Sequence, residues 1–262
     1  MRFDDAFANS KYLADGKYFP SRWEKKATEF RDRQGAGARL SLRYGTGERH
    51  WFDLFLPNGT PRGLMIFVHG GYWLAFGPRD FSHLAEGALA RGWACAMPAY
   101  TLAPAATIPA ITAEIAAALS AMAAEVAGPI AITGHSAGGH LTARMACASV
   151  PLGTDLVARI RRYVPISPLS DLRPLMETEM QNDLKLTPET ARVESAALQP
   201  ARRGARVHVW VGRAERPRFL DQARRLGNGW SCQVTVEPDL HHFNIIEGLE
   251  RADSPLMQAL LE

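Results

Sequence analysis

Six short apolar runs constrain this chain more than any other feature: LMIFVH at 64–69, WACAMP at 93–98, PIAIT at 129–133, RYVPIS at 162–167, VHVWVG at 207–212 and CQVTVE at 232–237. Each is too short for a buried helix, and a nearly continuous apolar run of this length suits a strand covered on both faces. Segments with helical spacing lie between them or follow the last, at 81–91, 108–127, 137–149, 219–226 and 254–261. Upstream, ARLSLRY and RHWFDLFLP alternate apolar and polar residues on either side of GTGE, which reads as a hairpin. Two alternating strands plus six buried ones, interleaved with helices, predict an α/β fold with a mostly parallel eight-stranded sheet flanked by helices.

Two stretches stand outside that rhythm. Residues 1–36 are polar and aromatic without a clear period, and predict an N-terminal arm packing on the body, with a loop and then a helix near 22–33. Residues 170–205 are polar, carry Pro174, Pro188 and Pro200, and are too long for a structureless connection. They predict a small lid-like helical insert after the sixth strand. No internal repeat divides the 262 residues, so a single domain over 1–262 is expected.

Composition removes other classes. At 47% hydrophobic and 22% charged the chain is neither disordered nor fibrous. A net charge of +3 is too small to suggest a nucleic-acid partner. Cys95, Cys147 and Cys232 are scattered and form no C-x-x-C, which predicts a reducing, cytoplasmic setting. The start, MRFDDAFANS, has acids where a secretory signal carries a basic and then an apolar region. The apolar stretch 110–133 is interrupted by Glu114, Glu125 and Gly128-Pro129, so no membrane span is expected.

The strongest local motif is Gly134-His135-Ser136-Ala137-Gly138, a G-x-S-x-G directly after the run PIAIT and directly before a helical segment. In that setting a serine on a sharp strand-to-helix turn is pushed out at the carboxyl end of the sheet. The new helix aims its free N–H groups and positive dipole end at developing negative charge. A serine hydroxyl is a poor nucleophile and needs a base held by a third group.

In this topology the order is serine, acid, histidine. Four histidines follow Ser136. His140 falls in the helix after the serine, and His208 falls inside a strand, where packing explains both. His241 and His242 lie in the loop after the last strand, where a base belongs. For the acid, the loop RAERP after VHVWVG offers Glu215, and Asp171, after the strand ending near Ser167, is a second candidate. His69-Gly70-Gly71-Tyr72-Trp73 follows the run LMIFV, and N–H groups of such a glycine-rich loop, with that of Ala137, can approach an oxyanion. His69 itself stands in the wrong order for a base and is expected to support the loop.

Taken together, HGGYW, AYTLAP, GHSAGGHL and HHF resemble the α/β-hydrolase superfamily and, within it, the arylformamidase (kynurenine formamidase) branch, over roughly residues 50–250. Hormone-sensitive-lipase-like esterases share the plan but usually carry a third glycine after H-G-G and an acid before the serine; Tyr72 and His135 stand there instead. The resemblance implies Ser136 as nucleophile, His242 as base in preference to His241, and an acid at Glu215, where the family usually has aspartate. It further implies oxyanion N–H groups on Gly71 and Tyr72, with Ala137.

The expected activity is hydrolysis of a small ester or amide through an acyl-enzyme. The substrate would be an N-formylkynurenine-like formamide or, alternatively, a short-chain ester. A non-catalytic binding protein on the same scaffold is a third reading, disfavoured by the intact Ser136, Glu215 and His242. Trp73, Tyr100, His135 and Phe243 flank the motifs and are candidate pocket walls. Arg213 and Arg216 belong to an arginine cluster around Glu215 and are candidates for meeting an anionic substrate group. No cofactor or metal is implied: H-E-x-x-H, Cys/His clusters, G-K-[ST] and a strand-linked G-x-G-x-x-G are all missing from the sequence.

Overall fold

The computed structural model describes residues 3–262. The chain begins with α1 (Asp4–Phe7) and two single 3₁₀ turns, then α2 (Phe19–Gln34). The strands β1 (Ala38–Arg43) and β2 (Trp51–Phe55) form the hairpin, and β3 (Leu64–Val68) starts the buried series. It continues through α3 (Glu86–Ala90), β4 (Ala94–Pro98), α4 (Ile108–Glu125), β5 (Ile130–His135), α5 (Ala137–Ala146), α6 (Thr154–Arg159) and β6 (Ile160–Ile166). Then come α7 (Gln181–Leu184), α8 (Pro188–Val193), β7 (His208–Gly212), α9 (Pro217–Trp230), β8 (Gln233–Glu237) and α10 (Pro255–Leu261).

All eight strands form one sheet in the order β1-β2-β4-β3-β5-β6-β7-β8. The β1–β2 and β2–β4 pairs are antiparallel and the other pairs are parallel, as the run pattern predicts. β3, β4, β5 and β7 are buried at every position, whereas β1 at the edge is exposed or half-buried throughout. Two apolar layers follow, one on each face. On one face α4 turns Ile108, Ile111, Ile115, Leu119 and Met122 inward, an i, i+3/i+4 stripe opened by a Thr107 N-cap and Pro109. On the other, α2 buries Phe19, Trp23, Ala27 and Phe30.

Several boundaries differ from the sequence reading for local reasons. The segment 81–91 is a 3₁₀ turn, Ser82–Ala85, followed by only five α-helical residues. α6 was not anticipated, because Gly153 and Pro151 before it mask a helix of 6 residues. The largest difference concerns 170–205. It is helical as expected, with a Thr187 capping box on α8, yet no residue of it lines the cavity at the carboxyl end of the sheet. It is moored instead to the helices behind that cavity. Glu194 pairs with Arg144 of α5 at 3.0 Å and accepts from Thr112 of α4 at 2.8 Å, with both charged side chains only 4% exposed. The cavity's cover comes from the N-terminal arm: Phe7, Asn9, Lys17, Pro20 and Trp23 all line it.

Breaking the buried pair leaves a guanidinium without its counter-ion, so Glu194→Gln should lower unfolding free energy by about 3–5 kcal/mol in urea titrations. A loss under about 1 kcal/mol would mean that the pair does not hold the insert. Stability should also depend on pH through the buried histidines. Burial pushes His69, His83 and His140 down to about 3, and it pushes His135 well below the ordinary histidine value, helped there by the neighbouring His242. The folded chain keeps these rings neutral while the unfolded chain protonates them below about 6.5. Their contribution is therefore complete above about pH 7 and is lost as pH falls, by ~1.4 kcal/mol per pH unit for each ring. Urea midpoints should be flat from pH 7 to 8 and fall steeply from pH 6 to 5; equal midpoints at pH 7 and 5 would contradict this.

Candidate active site

The carboxyl ends of β3, β5, β7 and β8 supply the site. β5 runs into Ser136, whose backbone turns to φ +57°, ψ −115°, before α5 begins at Ala137. A non-glycine residue there is strained by roughly 1–3 kcal/mol and persists only where its surroundings over-determine it. Here they do. The Ser136 N–H donates to the Ile166 carbonyl on β6 at 2.9 Å, and its carbonyl accepts from the His140 N–H at 2.9 Å. Gly138 is indispensable to that turn: a Cβ on it would lie 1.9 Å from the Val68 carbonyl oxygen of β3. The glycine allows α5 to start directly against the neighbouring strand.

The loop after β7 brings Glu215 under the loop after β8, and its carboxylate is saturated. Oε1 accepts from the Gly212 N–H at 2.8 Å and from the Ser167 hydroxyl, while Oε2 lies 2.7 Å from Nδ1 of His242. A carboxylate can only accept, so Nδ1 carries the proton and Nε2 is left as the basic nitrogen. The His242 ring is 4% exposed and held between Phe219 at 4.2 Å and His135 at 4.5 Å, centroid to centroid. Glu215 thus meets the geometry of an orienting acid.

Asp171 sits elsewhere. It chelates Arg173 at 2.9 and 2.8 Å and lies 3.5 Å from Arg225. Burial opposes its charge, but the hydrogen bonds and charges of Arg173 and Arg225 outweigh that and hold its carboxyl below the usual range. His241 accepts the N–H groups of Phe243 and Asn244 on Nδ1, which is how it stabilises the turn that presents His242. His140 bonds the Glu194 carbonyl at 2.8 Å and His208 bonds Thr235 at 2.8 Å, so both are packing residues.

The loop after β3 crosses the same cavity. His69 bonds the Gly70 carbonyl at 2.8 Å through Nδ1 and stacks on Tyr100 at 4.3 Å, the supporting role expected of it. Gly71, Tyr72 and Trp73 then run through three successive positive-φ residues at +107°, +53° and +59°. The cavity, about 380 Å³, is lined by Gly70, Gly71 and Tyr72 with His135, Ser136, His242 and Phe243. Ala137, fully buried, is the first residue of α5, where N–H groups have no intrahelical partner. Among the described residues no group of three or more His, Cys, Asp or Glu could hold a metal ion.

Four residues expected in the pocket lie outside it. Trp73 is fully buried edge-on to His140 at 5.0 Å, and Tyr100 is fully buried with its hydroxyl on the His69 carbonyl at 3.0 Å; both lie beneath the loop rather than in the wall. Arg213 is exposed and contributes only its backbone N–H to the Glu237 carbonyl. Arg216 turns outward to Asp5, 3.0 Å from its carboxylate, and lies 3.7 Å over the Tyr12 ring. The arginine cluster therefore braces structure and does not line the cavity: Arg218 and Arg225 pair with Asp221, and Arg202 caps the carbonyls of Cys147 and Val150. Sequence reasoning missed Asn9, Lys17, Trp23 and Ser167. The arm has no period that would announce a wall, and Ser167 meets Glu215 only because β6 and β7 are neighbours.

Known proteins share this fold. A family profile described as alpha/beta hydrolase fold matches residues 65–226. Similar proteins include the kynurenine formamidase of Salmo salar, 28% identical over 91% of this chain and 85% of that protein. That of Danio rerio is 24% identical over 97% and 96%. Among solved structures, a Silicibacter sp. tm1040 protein described provisionally as a thioesterase superposes with a TM-score of 0.98, at 50% identity and 100% coverage of both chains. A Pyrobaculum calidifontis esterase shares the fold with a TM-score of 0.69 at 17% identity, covering 95% of this chain and 93% of that one.

The geometry around His242 yields a direct test of the acid. With p-nitrophenyl acetate as probe, Glu215→Gln is expected to lose about 10³–10⁴ in kcat, the scale seen when an orienting carboxylate becomes an amide. Asp171→Asn should stay within about threefold of the parent. The reverse pattern would remove Glu215 from the site.

Proposed function

Because this chain belongs to the α/β-hydrolase fold family, we propose that it is a serine hydrolase that cleaves aryl formamides of the N-formylkynurenine type through a formyl-enzyme. The observation that carries the reading is the Glu215–His242 pair at 2.7 Å, whose histidine opens with Ser136 into one aromatic-walled cavity. His242 Nε2 takes the Ser136 hydroxyl proton as Oγ bonds to the formyl carbon, and the carbonyl electron pair moves onto oxygen. Glu215 stabilises the imidazolium so formed. The oxyanion is met by the N–H groups of Gly71, Tyr72 and Ala137. Collapse breaks the C–N bond, and the aryl amine leaves with the proton from His242. Water then attacks the formyl ester, giving His242 a proton. The second collapse breaks the bond between the formyl carbon and Oγ, Ser136 takes the proton back from His242, and formic acid leaves and ionises to formate.

Trp23, Phe76, Phe81 and Phe243 in the cavity lining support an aromatic leaving group, and the similarity to the fish formamidases supports the formyl acyl group. The free Cys95, Cys147 and Cys232 fit work in a reducing cytoplasm. One specific observation favours a second reading, a short-chain ester or thioester hydrolase with the same catalytic residues: the Silicibacter protein, half identical to this chain, is described provisionally as a thioesterase.

Purified protein assayed against N-formylkynurenine, p-nitrophenyl acetate and butyrate, and an acetyl thioester separates these readings. The formamide should give the highest kcat/KM, with formate released. Turnover of esters or thioesters without formate release would overturn the formamidase assignment and leave the general hydrolase. A fluorophosphonate probe should label the parent and not Ser136→Ala; equal labelling of both would remove Ser136 as nucleophile.

A further inference from the structure

We infer that the Tyr72 side chain is a positioning residue, whose hydroxyl ties the N-terminal arm to the oxyanion loop so that the arm both walls the cavity and sets the loop's geometry. This rests on the acyl-enzyme reading, through the Tyr72 N–H in the oxyanion hole.

The loop is held unevenly. On one side Trp73 is fully buried against His140, and its carbonyl accepts the Ala103 N–H at 2.8 Å. Just before, the Gly71 carbonyl accepts the N–H groups of Leu74 and Ala75 at 2.9 and 3.1 Å. Tyr72 stands between, at φ +53°, where a residue with a Cβ is strained unless something fixes it. Its phenol reaches the arm: the hydroxyl donates to the Phe7 carbonyl at 2.6 Å and accepts from Asn9 Nδ2 at 3.4 Å. The order of donors follows from chemistry, since the carbonyl can only accept and the hydroxyl has one proton to give. Burial, with the Glu215 carboxylate nearby, raises the phenol's pKa, so that proton stays in place at any working pH.

The same arm segment reaches the base. The Phe7 ring lies edge-on to Phe219 at 6.1 Å, and Phe219 lies 4.2 Å from His242. At its outer side the arm is hooked by Asp5 to Arg216, which stands at the N-cap position of α9, three residues before Phe219, and by Asp4 to the Glu179 N–H at 2.6 Å. A seated arm therefore braces the oxyanion loop at Tyr72 and the histidine at Phe219. An unseated arm would leave Tyr72 its strain and take away its fixation.

Tyr72→Phe keeps the ring and removes only the latch. Its expected signature is a fall in kcat of roughly tenfold, short of the ~10²–10³ of losing an oxyanion donor outright, with KM within about twofold. The Ki of an aryl trifluoromethyl ketone, whose hemiketal oxygen occupies the hole, should rise in parallel, while that of acetophenone, which cannot form a stable hemiketal, should not. Arg216→Ala, outside the cavity, should give the same pattern by loosening the arm, and circular dichroism should report both variants folded. Unchanged kcat and ketone Ki in Tyr72→Phe, with Ser136→Ala inactive, would overturn the inference and leave the nucleophile standing. A rise in KM and in both Ki values together would also overturn it, since that marks a wall residue only. An active Ser136→Ala would take down the underlying reading, and the inference with it.

Discussion

The turn from β5 into α5 is the constraint on which the rest of the structure hangs. It places a strained serine at +57° because three backbones meet there: the Ile166 carbonyl takes the serine N–H, and Gly138 passes beneath the Val68 carbonyl with no room for a Cβ. The strain, ~1–3 kcal/mol, is small against the packing of the buried strands around it. At that turn Ser136 lines the cavity together with His135 and His242. The loops that carry Gly71, Glu215 and His242 are brought to that point by parallel strands ending on the same side of the sheet.

This explains which features could be read from the amino-acid sequence. The Ser136 turn is a contiguous motif whose strand and helix neighbours are visible in composition, and the order of Glu215 and His242 follows from the order of strands. Contacts made across the sheet were not legible in the same way. Ser167 reaches Glu215 because β6 and β7 lie side by side, a fact of topology that no local pattern records. Nearness in sequence also misled: Trp73 directly follows the cavity-lining Gly71 and Tyr72, yet with its backbone at +59° its ring lies in the core beside His140.

The arginines and the two irregular segments show a different limit. A cluster of charge in sequence does not say which acids it meets, and Arg216 finds Asp5 from 211 residues away. The polar, proline-rich stretch at 170–205 has the composition of a lid but is sunk on the buried Arg144–Glu194 pair. The arm has no helical period before residue 19, yet Phe7, Asn9 and Lys17 from that part of it line the cavity. What distinguishes the two is burial of polar groups, a quantity that only the assembled fold defines.

The two moorings also respond to different solvents. Arg144 and Glu194, each 4% exposed, interact where mobile ions do not reach. Arg216 and Asp5, 25% and 56% exposed, sit within the ionic atmosphere of the medium, where screening acts over ~8 Å at physiological salt. Raising ionic strength therefore weakens the Arg216–Asp5 hook of the arm and spares the Arg144–Glu194 pair beneath the insert. The arm that walls the cavity is thus held at its outer side by a contact that feels the electrolyte.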